Sequence, residues 1–130
     1  MLSLSLAGEV ERFLEESVSL TKQIKNILGK KTIFKDQQII EYLNLVIRNY
    51  SFFDRIKILD QEGIVRYIAP FDNNILGINL SKQDFYLNHK ILDTPYWSNT
   101  FISLENGFPT ISLSIKYDNG IVVADLNLAT

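Results

Sequence analysis

The sequence predicts an α+β fold: a five-stranded antiparallel sheet with a long N-terminal helix on one face and a loop and short-helix excursion on the other. Three observations predict it. The stretch from Pro95 to Leu128 holds three segments rich in β-branched and aromatic residues, separated by Glu105-Asn106-Gly107 and Asp118-Asn119-Gly120. That is the pattern of an antiparallel meander. Apolar residues from Leu6 to Leu28 recur mostly at spacings of three and four, the period of an amphipathic helix. A hairpin pattern lies upstream of the meander, and the residues between the two, Phe71 to Thr94, follow neither period.

Composition narrows the function classes before any motif is considered. The 130 residues suffice for one domain with a real core, and 46% hydrophobic with 22% charged residues is ordinary for a globular chain. A net charge of -2 supplies no basic field for nucleic acid. The chain has no cysteine, which removes disulfides, thiol catalysis and Cys-ligated zinc. No run approaches the roughly 20 apolar residues of a membrane span, and Met1 to Leu6 is too short and lacks the basic flank of a signal peptide. The chain ends close after its last apolar strand position and is expected to be an excised domain.

The elements follow in order, with residues 1–130 expected to form a single domain. Leu6, Val10, Phe13, Leu14, Leu20, Ile24, Ile27 and Leu28 form the stripe of a first helix of about six turns, within residues 1–30. Gly29 closes it and Lys30-Lys31 suit its negative end, while Glu9, Glu11, Glu15 and Glu16 lie in its early half. The helix is longer than one small sheet needs, so its excess is expected to pack on a second copy in a homodimer. A second helix spans 36–49, with Asp36 as N-cap and Ile39, Ile40, Leu43, Val46 and Ile47 as its stripe. Phe52 to Leu59 and Ile64 to Ala69 form a hairpin around Asp60-Gln61-Glu62-Gly63, ended by Pro70. Arg55 and Lys57 alternate with Ile56 and Ile58, so one hairpin face is wet or ion-paired. In the excursion, Ser81 is expected to cap a short helix from Lys82 to about His89. Excursions of this length in compact domains usually carry function.

Turn chemistry sets the register expected within the sheet of residues 52–128. A type I′ turn centred on Asn119-Gly120 would put Ser114 opposite Asp125 and Ser112 opposite Asn127. A four-residue loop from Leu104 to Gly107 would put Ser103 opposite Phe108 and Phe101 opposite Thr110. Paired residues share a face. One face then collects Trp97, Asn99, Phe101, Ser103, Thr110, Ser112, Ser114, Val123 and Asp125. The other collects Ile102, Ile111, Leu113, Ile115, Val122, Ala124 and Leu126, an aliphatic set that must pack on something large. Helix, helix, hairpin, excursion and meander together make a PAS-like architecture.

The sequence also resembles the Cache family of extracytoplasmic sensor domains, found in histidine kinases, chemoreceptors and cyclic-di-GMP enzymes. The resemblance covers essentially the whole chain. It rests on the long first helix, Ile56-Lys57-Ile58-Leu59-Asp60-Gln61-Glu62-Gly63, and Gly77-Ile78-Asn79-Leu80-Ser81 before Phe85-Tyr86. It rests also on Tyr96-Trp97-Ser98-Asn99-Thr100-Phe101-Ile102-Ser103, on Gly107-Phe108-Pro109-Thr110-Ile111-Ser112-Leu113-Ser114, and on Val122-Val123-Ala124-Asp125-Leu126. It implies the membrane-distal lobe of a two-lobed receptor, or a single-lobed relative, outside the membrane of an anchored parent protein, binding a small solute between sheet and excursion. The amino-acid-binding branch of the family opens its short helix with Arg-x-Trp-Tyr, where this chain has Gln83-Asp84-Phe85-Tyr86. The strand positions of that branch's tyrosine and first aspartate hold Phe101 and Ser103, and its final aspartate matches Asp125. An arginine fork recognises a carboxylate in a way glutamine cannot replace, so the departures argue against an ordinary α-amino acid ligand.

The expected ligand contacts are Phe85, Tyr86, Trp97, Phe101, Ser103, Thr110, Ser112, Ser114 and Asp125. Trp97 suits core packing as well as a pocket, and Asp125 can bind a ligand or take its bonds from Ser114 and backbone. His89 is the chain's one histidine, and without a carboxylate cluster at ligand spacing it is no metal site. No nucleophile elbow, phosphate-binding glycine loop or paired acids appear, so no catalytic residue and no cofactor is expected. The sequence is read as a non-enzymatic sensor of a small polar or amphipathic solute. The alternative is a ligand-free dimerisation or protein-interaction module of a receptor.

Overall fold

The structure, a computed structural model, describes residues 2–29, 35–103 and 106–129, with side chains from residue 8 onward. Helix α1 runs Leu2–Gly29 and α2 Asp36–Asn49, followed by strands β1 (Phe53–Asp60) and β2 (Val65–Ala69). Then come α3 (Asp84–His89), β3 (Tyr96–Trp97), β4 (Phe101–Ile102), β5 (Pro109–Tyr117) and β6 (Gly120–Asn127). One antiparallel sheet has the order β2-β1-β6-β5-β3, with β4 also on β5. This is the predicted α+β architecture, with the first strand of the expected meander split in two. The expected Lys30-Lys31 helix end and the Leu104-Glu105 half of the hairpin loop lie outside the described residues.

The sheet carries a core on each face. On one, Leu20, Ile24 and Leu28 of α1 and Ile39, Leu43 and Val46 of α2 bury against Ile56, Ile58, Leu113, Ile115, Val122, Ala124 and Leu126. Burial of a full aliphatic side chain stabilises by about 1.5–3 kcal/mol, so this layer dominates stability. The C-terminal half of α1 provides the seat, while Val10 in its first half is half exposed. On the opposite face Leu59, Val65, Ile68, Ile121 and Val123 gather Ile75, Leu80, Phe85 and Tyr86 of the excursion.

Backbone bonds fasten the excursion to the edge strand. Val65 N–H donates to Ile78 O at 3.0 Å, Gly77 N–H to Val65 O at 2.9 Å and Leu80 N–H to Gly63 O at 2.8 Å. Covering an edge this way removes a template for unwanted pairing. Gly63, at φ 86°, suits this corner because a Cβ there would lie 2.9 Å from Ser81 Cβ.

Local chemistry corrects the two expected caps. Lys35 holds the N-cap position of α2, its N–H donating to Gln38 Oε1 at 2.8 Å, and Asp36 is instead the first helical residue. The Asp36 carboxylate accepts the Tyr67 hydroxyl, joining α2 to β2. Gln83 precedes α3, whereas Ser81 sits in the preceding turn with its N–H bonded to Asn79 Oδ1.

Register is where structure and sequence part. The β5–β6 turn is Asp118-Asn119 rather than Asn119-Gly120, and no described non-glycine residue has positive φ, so it is not the type I′ turn expected. Ser112 therefore faces Asp125 and Ser114 faces Val123, a slip of two that keeps every side chain on its expected face. Phe101 pairs with Thr110 as the loop arithmetic required, with Ser103 N–H donating to Phe108 O at 3.0 Å. Between β3 and β4 the register slips by one, because Tyr96 faces Ser114 and Trp97 faces Leu113. Ser98 makes the bulge: its N–H donates to Ser112 O and its Oγ accepts Ser112 N–H, both at 2.8 Å. An odd slip exchanges faces, so Trp97 turns onto the helix side among Leu14, Val18 and Lys22, and Tyr96 takes the other side. Ile102, expected in the aliphatic set, is exposed at the cavity rim.

Candidate ligand-binding site

A cavity of about 780 Å³ lies between the sheet and the excursion. Its floor is built from alternate residues of three adjacent strands: Arg55 and Lys57 of β1, Val123 and Asp125 of β6, and Thr110, Ser112 and Ser114 of β5. Tyr96, Ser98, Asn99, Phe101 and Ser103 form one wall, and Ile75, Leu80, Gln83, Asp84 and Phe85 come from the excursion. The strands fix the floor through the sheet ladder, so these groups share a face regardless of ligand. The size falls within the range of small-molecule sites.

Of the residues expected from sequence, Phe85, Phe101, Ser103, Thr110, Ser112, Ser114 and Asp125 come together here. Trp97 does not, for the register reason given above. Tyr86 does not either, because its hydroxyl donates to Gln61 O at 2.7 Å on the outer side, with Lys90 Nζ 5.2 Å above its ring. Arg55, Lys57, Tyr96 and Ser98 were not expected as lining. The alternation of Arg55 and Lys57 with buried isoleucines was visible, but their face became assignable only once β1 paired with β6.

Asp125 is not a bare carboxylate. Ser112 Oγ donates to its Oδ1 at 2.6 Å, and Lys57 Nζ stands 3.7 Å from its Oδ2, with both charged side chains less than a fifth exposed. Arg55 Nη2 reaches Asp72 Oδ2 at 3.3 Å, tying the floor to the start of the excursion. At the far end Asp54 accepts Asn106 Nδ2 at 3.1 Å and Asn127 Nδ2 at 3.5 Å. Hydroxyls too are engaged, with Thr110 Oγ1 donating to Phe108 O at 3.1 Å. Among the described residues no group of three or more His, Cys, Asp or Glu side chains is placed to hold a metal ion.

His89 of α3 is buried on the excursion side of the sheet, 2% exposed, with Nε2 2.8 Å from the Oγ of the floor residue Ser114. Burial, aided by Lys116, pushes its pKa below the ordinary 6.5 against the opposing pull of Leu92, Ser114 and Asp93. The unfolded chain therefore takes up a proton near pH 6.5 that the folded one refuses, and stability falls as pH drops through that value. Urea unfolding at pH 7.5 and 5.5 is expected to show a loss that His89→Gln reduces, since no other histidine titrates there.

No protein-family model matches the sequence, and no curated protein matches it. Solved structures do. The ligand-binding domain of the Pseudomonas aeruginosa amino acid chemoreceptor PctC, in complex with GABA, superposes with a TM-score of 0.76 at 15% identity, over 94% of this chain and 56% of that one. The ligand-binding domain of the Pseudomonas fluorescens chemoreceptor CtaA with L-isoleucine gives 0.72 at 18% identity, over 95% and 52%. The chain shares the fold of these ligand-binding domains. The Bacillus subtilis YkuI protein, which has an EAL domain, shares it with a TM-score of 0.66 at 19% identity, over 89% of this chain and 32% of that one. The chain spans about half the length of the two chemoreceptor domains. None of its described helices is long and apolar enough to cross a membrane.

Proposed function

We propose that this chain is the ligand-binding domain of a membrane signalling receptor, lying outside the membrane and taking a small solute into the cavity between sheet and excursion. The observation that carries the reading is the convergence of charged, hydroxyl and aromatic side chains from β1, β5, β6 and the excursion on one cavity of about 780 Å³. The chemoreceptor domains of the same fold, with GABA or L-isoleucine bound, support it. The role is recognition without chemistry, and the signal is a difference in affinity between two arrangements of the domain.

Thermal shift across organic acids, amines, amino acids and nucleobases tests this. At least one class is expected to raise the midpoint as ligand exceeds its Kd. Silence across all classes would sink the reading and favour the ligand-free interaction module. Self-association belongs to the same proposal: the first half of α1 overhangs the sheet-packed half, with Val10 50% and Leu14 36% exposed. Val10→Asp is expected to convert a dimer to a monomer in analytical ultracentrifugation and to abolish the dependence of the thermal midpoint on protein concentration.

A further inference from the structure

Every hydroxyl donor on the cavity floor is already committed, and so is the floor's one acid, Asp125. Thr110 donates to Phe108 O, Ser112 to Asp125, and Ser114 is engaged with His89 and Tyr96 O. Asp125 has Ser112 on one oxygen and Lys57 on the other, so a ligand ammonium arriving there would have to expel a lysine. Lys57 is in the opposite position. An ammonium carries three donors and no acceptor, and at 3.7 Å its contact with Asp125 is an ion pair longer than a hydrogen bond. It lines the cavity at 17% exposure, where an incoming acceptor meets a poorly hydrated cation. Phe85, Phe101, Ile75 and Leu80 give the same cavity an apolar wall.

We infer that the ligand of this cavity is a small carboxylate with an apolar body and no amine, its carboxylate held by Lys57 in place of the ammonium that Asp125 would otherwise attract. The inference rests on the proposed sensor reading and names the ligand class of that site. Lys57 and Asp125 act as an internal ion pair: the lysine supplies the cation that the ligand must not bring.

Isothermal titration of the domain with matched sets tests it. One set is 4-methylpentanoate, its amide, L-leucine and 3-methylbutylamine, and corresponding sets are built on other short aliphatic and aromatic carboxylates. In the set that fits, the carboxylate is expected to bind about tenfold or more tighter than its amide, amine or α-amino counterpart. Lys57→Gln is expected to weaken it about tenfold or more. Because Lys57→Gln leaves Asp125 without its cation, the pair Lys57→Gln with Asp125→Asn provides a second test and is expected to be equally weak. Asp125→Asn alone, which keeps an oxygen for Ser112 and frees the lysine, is expected to keep or raise carboxylate affinity. Preference for the amine or the amino acid, or loss of carboxylate binding in Asp125→Asn, would overturn the inference and leave the sensor reading intact. Binding by no member of any set, with no response in the wider thermal-shift panel, would overturn both.

Discussion

Gly120→Ala is expected to destabilise the domain by about 3 kcal/mol or more, beyond the usual cost of overpacking a core, and to lower the thermal midpoint by roughly 10 °C. The residue opens β6, where it pairs with Asp60 of β1 and Tyr117 of β5. A Cβ built there would stand 1.8 Å from Leu59 O and 2.8 Å from Leu59 C. Those are backbone atoms of the neighbouring strand, so no rotamer change can relieve the clash. Either β1 moves away from β6 and ladder bonds are lost, or the turn rebuilds. Thermal unfolding followed by circular dichroism measures the effect. Asn119→Ala makes the control, since that exposed turn residue has no positive φ to defend and is expected to change stability by less than about 0.5 kcal/mol. A mild Gly120→Ala would mean that β1 and β6 stand further apart at Leu59 than a 1.8 Å approach of that Cβ to Leu59 O requires.

The same glycine shows how far the sequence could be read. Asp118-Asn119-Gly120 correctly marked a tight turn, but the rule connecting Asn-Gly with positive φ assigned Gly120 to the turn itself. Its real constraint is the nearness of a strand more than fifty residues away in sequence, which no local pattern contains. Because the resulting slip was two residues, strand periodicity still placed Thr110, Ser112, Ser114 and Asp125 on one face, and the floor was legible. Trp97 shows the limit. A single bulged residue, Ser98, replaces a ladder bond with its side chain, and that odd slip sends Trp97 to the helix side and Tyr96 to the cavity side. Nothing in Tyr-Trp-Ser-Asn-Thr separates a continuous strand from a bulged one. The two cations lay hidden for a different reason: Arg55 and Lys57 were visible as a polar alternation, but whether they met water or a pocket depended on the nonlocal pairing of β1 with β6.

Trp97→Ala and Tyr96→Ala, neighbours in sequence, are expected to separate stability from binding. Trp97 joins the main core as a partly buried member and lines a groove on the helix side together with Leu14, Val18 and Lys22 of α1. Its removal leaves a gap between helix and sheet, expected to cost about 3 kcal/mol, the lower end for a large aromatic because it is not fully buried. Ligand affinity should stay within about threefold, since no atom of the cavity lining is lost and stability effects on binding are indirect. Tyr96 lines the cavity and pairs with Ser114, so Tyr96→Ala is expected to weaken ligand binding more than it lowers the midpoint. Denaturant unfolding and titration with whichever ligand the panel identifies measure both quantities on both variants. If Trp97→Ala abolished binding at unchanged stability, the bulge at Ser98 would be misplaced and the tryptophan would belong to the cavity. If the expected split is found, strand β3 has one residue on the ligand and the next on the long helix. A displacement of Tyr96 by ligand then reaches α1 through a single peptide unit, and the fluorescence of Trp97, the chain's one tryptophan, is expected to change on binding without the tryptophan touching the ligand.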